Sequence, residues 1–165
     1  MILYHPCDDV YHCFCRMILL ISHLPAEEYE LKKIQILDFY FLFPGLLKKI
    51  HLPKEFSLYR PYINNIKYQY SDISDPKQVI THIGYQVNNV ARYMAAYELI
   101  DVKKIEKEKI LKINPEKYSS FIQKIDEYDK DLLDFIVKAL SRIPLKGAKG
   151  LKARTNLFEY RYDNV

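Results

Sequence analysis

The chain has 165 residues, 49% of them hydrophobic, with 4 glycines and 8 prolines. That length suits one domain, or one domain with a small appendage, and the low glycine and proline content excludes a loop-rich or disordered chain. Three cysteines (Cys7, Cys13 and Cys15) are too few and too close together for a disulfide framework, which indicates a reducing compartment. The formal net charge is +4.

Insertion into a membrane is not expected. The start of the chain has no basic stretch and no small-residue cleavage site of the kind found in signal peptides. The longest apolar run, residues 34–47, is interrupted by Gln35, Asp38 and Pro44 and is shorter than the ~20 residues of a spanning helix. We therefore expect a cytoplasmic protein with no membrane partner.

The first predicted helix covers residues 9–23. It follows the strand-like residues 2–4, and either Asp8 or Asp9 is a suitable N-cap. Apolar side chains then recur at helical spacing until a proline ends the pattern.

A second helix is predicted to begin at Ala26, with acidic residues in its first turn. It becomes apolar on all faces through residues 36–43. A helix without a polar face is a buried one, so this helix should lie at the centre of the core. The following residues 51–75 are expected to be largely irregular.

The middle of the chain predicts two short helices. Asp75 and Pro76 are an N-cap and a first-turn proline, and they open a helix that should end at about Gly84. The next helix covers about residues 87–98 and has one apolar face.

Two stretches of β-type composition follow, residues 99–102 and 110–113, around a charged turn. Helix, turn, helix and hairpin is the order of a winged helix-turn-helix. The predicted fold class is therefore mainly α: a winged helix-turn-helix-like domain with a small β-hairpin wing, an N-terminal helix, a long C-terminal helix over residues 115–141, and a basic tail. The acidic side chains of the long helix are expected to face solvent: Asp126, Glu127, Asp129, Asp131 and Asp134.

The C-terminal residues 146–162 contain the whole net charge. Residues 1–145 form the predicted single helical domain, and residues 146–165 form a basic, aromatic segment with five basic residues against Glu159 up to position 162. Such a segment is expected to bind an acidic partner or to fold back on the acidic long helix. The residues predicted to bind a partner are Lys146, Lys149, Leu151, Lys152, Arg154, Leu157, Phe158, Tyr160, Arg161 and Tyr162.

The predicted recognition helix and wing offer a possible DNA-contacting surface. Only one arginine lies on that helix, which favours non-specific contact with phosphates over readout of a base sequence. The possible DNA-contacting residues are Asn88, Asn89, Arg92, Lys103, Lys104 and Lys107.

Motifs for catalysis are missing from the sequence, which has no phosphate-binding glycine loop and no nucleophile elbow. Asp101 and Lys103 match half of a metal-dependent nuclease site, but no acidic partner precedes them on a neighbouring predicted strand. The alternative interpretation is a wing with alternating charge.

Five side chains that can bind metals lie between residues 5 and 15. Only His12 and Cys15 share a helix face, and no pair with zinc-finger spacing is present. The pattern favours ordinary buried cysteines over a zinc site. The five are His5, Cys7, His12, Cys13 and Cys15.

Three stretches carry a resemblance to a known family. They are the Tyr-His-Pro of residues 4–6 with Tyr11 and His12, the Ile-Leu-Asp-Phe-Tyr-Phe-Leu-Phe-Pro of residues 36–44, and residues 147–163, with Gly-x-x-Gly-Leu-Lys-x-Arg-Thr followed by Glu-Tyr-Arg-Tyr-Asp. Together they resemble the small middle component of bacterial ABC-three-component (Lamassu-like) defence systems, over nearly the whole chain.

The resemblance implies a non-enzymatic adaptor beside an SMC-like ABC ATPase and an effector subunit, often a nuclease, in a system that responds to phage or plasmid DNA. It assigns no catalytic residue, no metal ligand and no cofactor. The residues taken alone leave a different class of function open, a winged-helix DNA-binding transcription regulator.

Overall fold

The computed structural model describes residues 8–67 and 73–163. Within these ranges the α helices are α1 (Val10–His23), α2 (Leu31–Leu42), α3 (Arg60–Asn65), α4 (Pro76–Ala96), α5 (Val102–Ile105), α6 (Tyr118–Ile122), α7 (Lys130–Lys138) and α8 (Leu151–Thr155). Short 3₁₀ helices cover Pro44–Lys49, Lys54–Tyr59, Pro115–Lys117 and Leu140–Arg142. Strands β1 (Glu28–Glu30) and β2 (Lys109–Leu111) pair antiparallel. In this part of the chain, no helix combines the length and apolarity needed to cross a bilayer.

Helix α1 confirms the first predicted helix. The side chain of Asp9 accepts a hydrogen bond from the backbone N–H of His12 at 2.9 Å, which satisfies a donor that the first turn leaves unpaired. The helix ends at His23, and its C-cap Leu24 directly precedes a proline. The strand-like residues 2–4 that should precede it lie outside the described residues.

Helix α2 is the centre of the core, as predicted. It packs against α1, α4 and α7, and Ile36, Leu37 and Phe39 are 1% exposed or less. Its start differs from the prediction, because residues 28–30 form β1 and the helix begins only at Leu31. Pairing with β2 draws this short stretch into the sheet, although its acidic composition suits a helix N-terminus.

The predicted turn at Gly84 is wrong, because α4 is one continuous helix. Asp75 caps it as predicted, accepting from the N–H groups of Lys77 and Gln78 at 3.1 Å each. Gly84 lies inside the helix where a Cβ would meet the side-chain amide of Gln35 on α2 at 3.4 Å. The glycine thus reflects close packing of two helices, and no helix-turn-helix forms here.

The predicted hairpin is confirmed in part. Ile100 forms an isolated antiparallel bridge with Lys112, and the N–H of Asp101 donates to the carbonyl of Leu111 at 3.0 Å. The connection contains the short helix α5, and β2 pairs on its other side with β1. Asp101 is the N-cap of α5 and accepts from the N–H of Lys103 at 2.8 Å, so the proposed nuclease pair lies at a helix start rather than along a strand.

The predicted long helix over residues 115–141 is wrong. Helix α6 ends at Ile122, and α7 begins at Lys130. Residues 125–129 between them are irregular, and the carboxylate of Asp129 accepts from the N–H of Leu132 at 2.9 Å. This local capping bond starts a new helix and competes with a continuous one.

Candidate interaction surfaces

The C-terminal segment folds back on the rest of the chain. Leu151 and Leu157 are 0% and 5% exposed and belong to the same apolar core as α1 and α2. The N–H of Leu151 donates to the carbonyl of Pro144 at 2.8 Å. Gly150 permits this return, because a Cβ there would collide with the backbone carbonyl of Lys146.

An ion pair closes the far end of this segment. The ammonium of Lys152 lies 2.8 Å from a carboxylate oxygen of Asp163, and the two side chains are only 7% and 14% exposed. Lys152 is therefore committed to an internal contact. The pair joins α8 to the end of the loop formed by residues 156–163.

Two further predicted binding residues also make internal contacts. The guanidinium of Arg154 donates to the backbone carbonyl of Lys149 at 2.6 Å and to the carbonyl of His51. The ring of Phe158 lies 5.7 Å from the ammonium of Lys32 on α2. These contacts join the segment to residues near 51 and to the start of α2, whereas the sequence had suggested the acidic helix as the receiving surface.

The remaining members of the predicted surface face solvent to different degrees. Tyr160 is half-buried, and Tyr162 is 87% exposed. The N–H groups of Tyr160 and Arg161 both donate to the carboxylate of Glu159, at 3.1 and 2.9 Å, which defines the backbone of this loop. The exposed tail set consists of Lys146, Lys149, Arg161 and Tyr162.

The predicted DNA-contacting residues are divided between α4 and α5. Asn89 and Arg92 are exposed on α4, and Asn88 is half-buried. On α5 and the following turn, Lys103 and Lys107 are exposed.

Lys104 differs from the other predicted DNA contacts, because its ammonium forms an ion pair with another residue of the same chain. Its ammonium lies 2.7 Å from the carboxylate of Glu28, which also pairs with Lys109 at 2.8 Å. The two lysines hold the pKa of Glu28 at about 2. Lys104 thus ties α5 to the sheet.

A cleft that the sequence did not reveal lies between α1, the end of α2, residues 124–129 and the start of α7. At its wall, the guanidinium of Arg16 donates two hydrogen bonds to Asp38, at 2.7 and 3.1 Å. Asp38 is fully buried. A lone carboxylate in the otherwise apolar residues 36–43 was the available signal for this pair, because a buried charge requires a partner.

The cysteines have ordinary surroundings where they are described. Cys13 is buried in the core, and the thiol of Cys15 shares a hydrogen bond with the hydroxyl of Tyr11. Burial raises the pKa of the Cys15 thiol, so it is protonated at neutral pH. His5 and Cys7 fall outside the described ranges. Over residues 8–67 and 73–163, no group of three His, Cys, Asp or Glu side chains is placed to hold a metal ion.

Comparison with known proteins identifies the family. No curated protein and no solved structure matches the chain. The family model of the ABC-three component (ABC-3C) system Middle Component 5 matches residues 2–163. That range includes the helical core, the sheet and the whole described C-terminal segment. The chain therefore belongs to the family of middle components 5 of ABC-three-component defence systems.

Proposed function

We infer that this protein is a non-catalytic adaptor, which works in the cytoplasm and bridges an SMC-like ABC ATPase and an effector, often a nuclease. Membership of the middle-component family carries the proposal, because the family model extends over nearly the whole chain. A middle component is by name one part of a larger assembly, so its chemistry should lie in binding.

Two exposed surfaces support a bridging role. The exposed tail set contains Arg161 and Tyr162, and α4 presents Tyr85, Arg92 and Tyr93 to solvent. Tyrosine and arginine dominate the energetics of protein interfaces. A protein that joins two partners needs two such surfaces. We assign the C-terminal segment to one partner, with its buried members holding the loop and its exposed members making contact.

The tail variant Arg161→Ala with Tyr162→Ala tests the proposal. Both side chains are exposed, so the fold should be unaffected. We expect the affinity for the co-purified ATPase or effector to fall by about 2–4 kcal/mol, as for truncated interface hot spots. Lys54→Ala with Leu58→Ala, two exposed side chains on another surface, is the matched control. Full affinity of the tail variant for both partners would contradict the assignment.

Arg154 is unsuitable for the same test. Its guanidinium bonds to the carbonyls of Lys149 and His51, so Arg154→Lys would disturb the folded segment whether or not a partner binds there. A substitution of Arg161 separates loss of partner binding from disturbance of the folded segment, because its side chain is exposed.

Absence of catalysis is part of the proposal. The purified protein should neither hydrolyse nucleotides nor cut DNA, since its sequence has no phosphate-binding glycine loop and Asp101 serves as a helix cap. Metal-dependent cleavage by the wild type that disappears in Asp101→Ala, with the fold retained, would contradict this.

DNA binding through α4 and α5, as a transcription regulator, is the second candidate. One observation favours it: α4 has no acidic residue from Pro76 to Ala96, and Arg92, Lys103 and Lys107 are exposed. Contact with phosphates predicts an affinity for duplex DNA that falls steeply with salt, with a slope of about −0.9 per phosphate neutralised. The triple variant Arg92→Ala, Lys103→Ala, Lys107→Ala should flatten that slope. An unchanged slope would exclude this surface.

A further inference from the structure

The cleft beside Arg16 has the dimensions of a binding site. Its volume is about 490 Å³, within the range of about 300–1,000 Å³ typical of ligand pockets. Leu19 and Leu132, both nearly fully buried, form apolar parts of its lining, and half-buried Phe41 and Leu42 extend that apolar surface. An occupant must therefore bring apolar groups of its own.

Three carboxylates at the cleft lack a cation. Within the two described ranges, no lysine or arginine lies at ion-pair distance from Asp126, Glu127 or Asp129. The cations lining the cleft are Arg16, which Asp38 already neutralises through two hydrogen bonds, and exposed Lys124. The carboxylates therefore outnumber the uncompensated cation, and the cleft is complementary to positive charge.

Two tyrosines add flat surfaces to the cleft. Tyr11 is 65% exposed, and Tyr128 is half-buried beside the carboxylates. A guanidinium can stack on such rings and also form a two-pronged hydrogen bond with a carboxylate. Lysine makes the second contact less well, because its ammonium is a compact, strongly hydrated charge.

We propose that this cleft binds an arginine-containing apolar segment of a partner protein, with the arginine paired to Asp126 and Glu127 and its apolar neighbours over Leu42 and Phe41. The proposal rests on the adaptor role inferred above and adds the chemistry of one partner. It concerns a surface other than the exposed tail set, so the two are tested separately.

Peptide binding to the full chain tests the cleft directly. The probe is a fluorescein-labelled peptide, Gly-Leu-Arg-Leu-Arg-Leu-Gly, and its counterpart carries the uncharged isostere citrulline in place of both arginines. Fluorescence anisotropy should show at least about tenfold tighter binding of the arginine peptide, the size expected for one charge-assisted hydrogen-bonded pair. Equal affinities for the two peptides would overturn the proposal.

Variants that replace carboxylates by uncharged amides test where the peptide binds. Asp126→Asn with Glu127→Gln should remove the preference for arginine. Glu106→Gln with Glu116→Gln changes the net charge equally at exposed positions outside the cleft and should keep the preference. Amide NMR shifts on titration should concentrate at Tyr11, Phe41 and Tyr128. An equal loss in both variants, or shifts concentrated elsewhere, would show general charge attraction and overturn the proposal. The adaptor role is tested by a different measurement, the affinity of the tail variant for the ATPase. Failure of the adaptor role and failure of the cleft proposal can therefore be distinguished.

Discussion

The ion pair between Arg16 and Asp38 predicts a large effect of a single side chain. Asp38 is fully buried, and the side chain of Arg16 is 12% exposed. Asp38→Ala removes the carboxylate that accepts two hydrogen bonds from a nearly buried guanidinium, so we expect the free energy of unfolding to fall by about 3–5 kcal/mol. Urea denaturation measures this loss.

A surface pair and a double variant serve as controls for Asp38→Ala. Asp134→Ala removes the pair with Lys138, in which both side chains are about half exposed, and should cost no more than about 1 kcal/mol. Replacing both buried partners, as Arg16→Met with Asp38→Leu, should cost less than Asp38→Ala alone. Similar losses for Asp38→Ala and Asp134→Ala would show that Arg16 finds water or another acceptor.

The carboxylate of Glu28 predicts a pH dependence of stability. Its hydrogen bonds with Lys104 and Lys109 lower its pKa from 4.5 to about 2. A depressed folded-state pKa stabilises the fold above the unfolded value, and the contribution is lost as the pH falls toward the folded value. The stability difference between the wild type and Glu28→Gln should therefore be present at neutral pH and shrink between pH 4.5 and about 2. Urea midpoints across this range measure it, and a constant difference would contradict the prediction.

Helix α4 makes a prediction about its central glycine. Inside a helix, glycine is less favourable than alanine by about 1 kcal/mol. A Cβ at Gly84 would meet the side-chain amide of Gln35 at 3.4 Å, close to ordinary van der Waals contact. We expect Gly84→Ala to stabilise the protein by up to about 1 kcal/mol, measured as a higher urea midpoint. Clear destabilisation would show that the side chain of Gln35 cannot move away from the added methyl group.

The helices that follow local signals could be predicted from the sequence. Asp9 and Asp75 cap α1 and α4 where the sequence places their caps, and both caps depend on residues two or three positions away. The errors at Gly84 and at residues 28–30 arise where a distant residue decides. Gly84 faces Gln35 of another helix, and residues 28–30 pair with a strand some 80 positions later in the chain.

The candidate surfaces likewise combine features that the local sequence predicts with features that depend on distant residues. Composition identified the C-terminal segment as basic and aromatic, and the structure exposes Arg161 and Tyr162. It could not show that Lys152 pairs with Asp163 or that Lys104 pairs with Glu28, because charge patterning does not say which charges meet in space. The cleft near Arg16 is formed by four separate parts of the chain, so the lone Asp38 indicates a buried ion pair but not a cleft.

The basic C-terminal segment packs against the apolar core of the molecule. Helix α2 is surrounded by α1, α4 and α7, and the C-terminal segment adds Leu151 and Leu157 to the same cluster. The exposed tail set is thereby held on a folded support. Fixed side chains lose less conformational entropy on binding than those of a free tail, which favours affinity.

Truncation after Leu145 tests whether residues 146–165 are a separable segment, as the sequence predicts. The truncated chain loses Leu151 and Leu157 from the core, and each fully buried leucine contributes about 1.5–3 kcal/mol. Against a total stability of about 5–15 kcal/mol, we expect a much lower melting temperature or an insoluble product. Arg161→Ala with Tyr162→Ala should melt like the wild type, because both side chains are exposed. Failure of the truncated chain to assemble would then report unfolding, whereas failure of the double variant would report a lost interface. A truncated chain with wild-type melting behaviour would show that the segment is independent of the core and that its leucines are free to bind a partner.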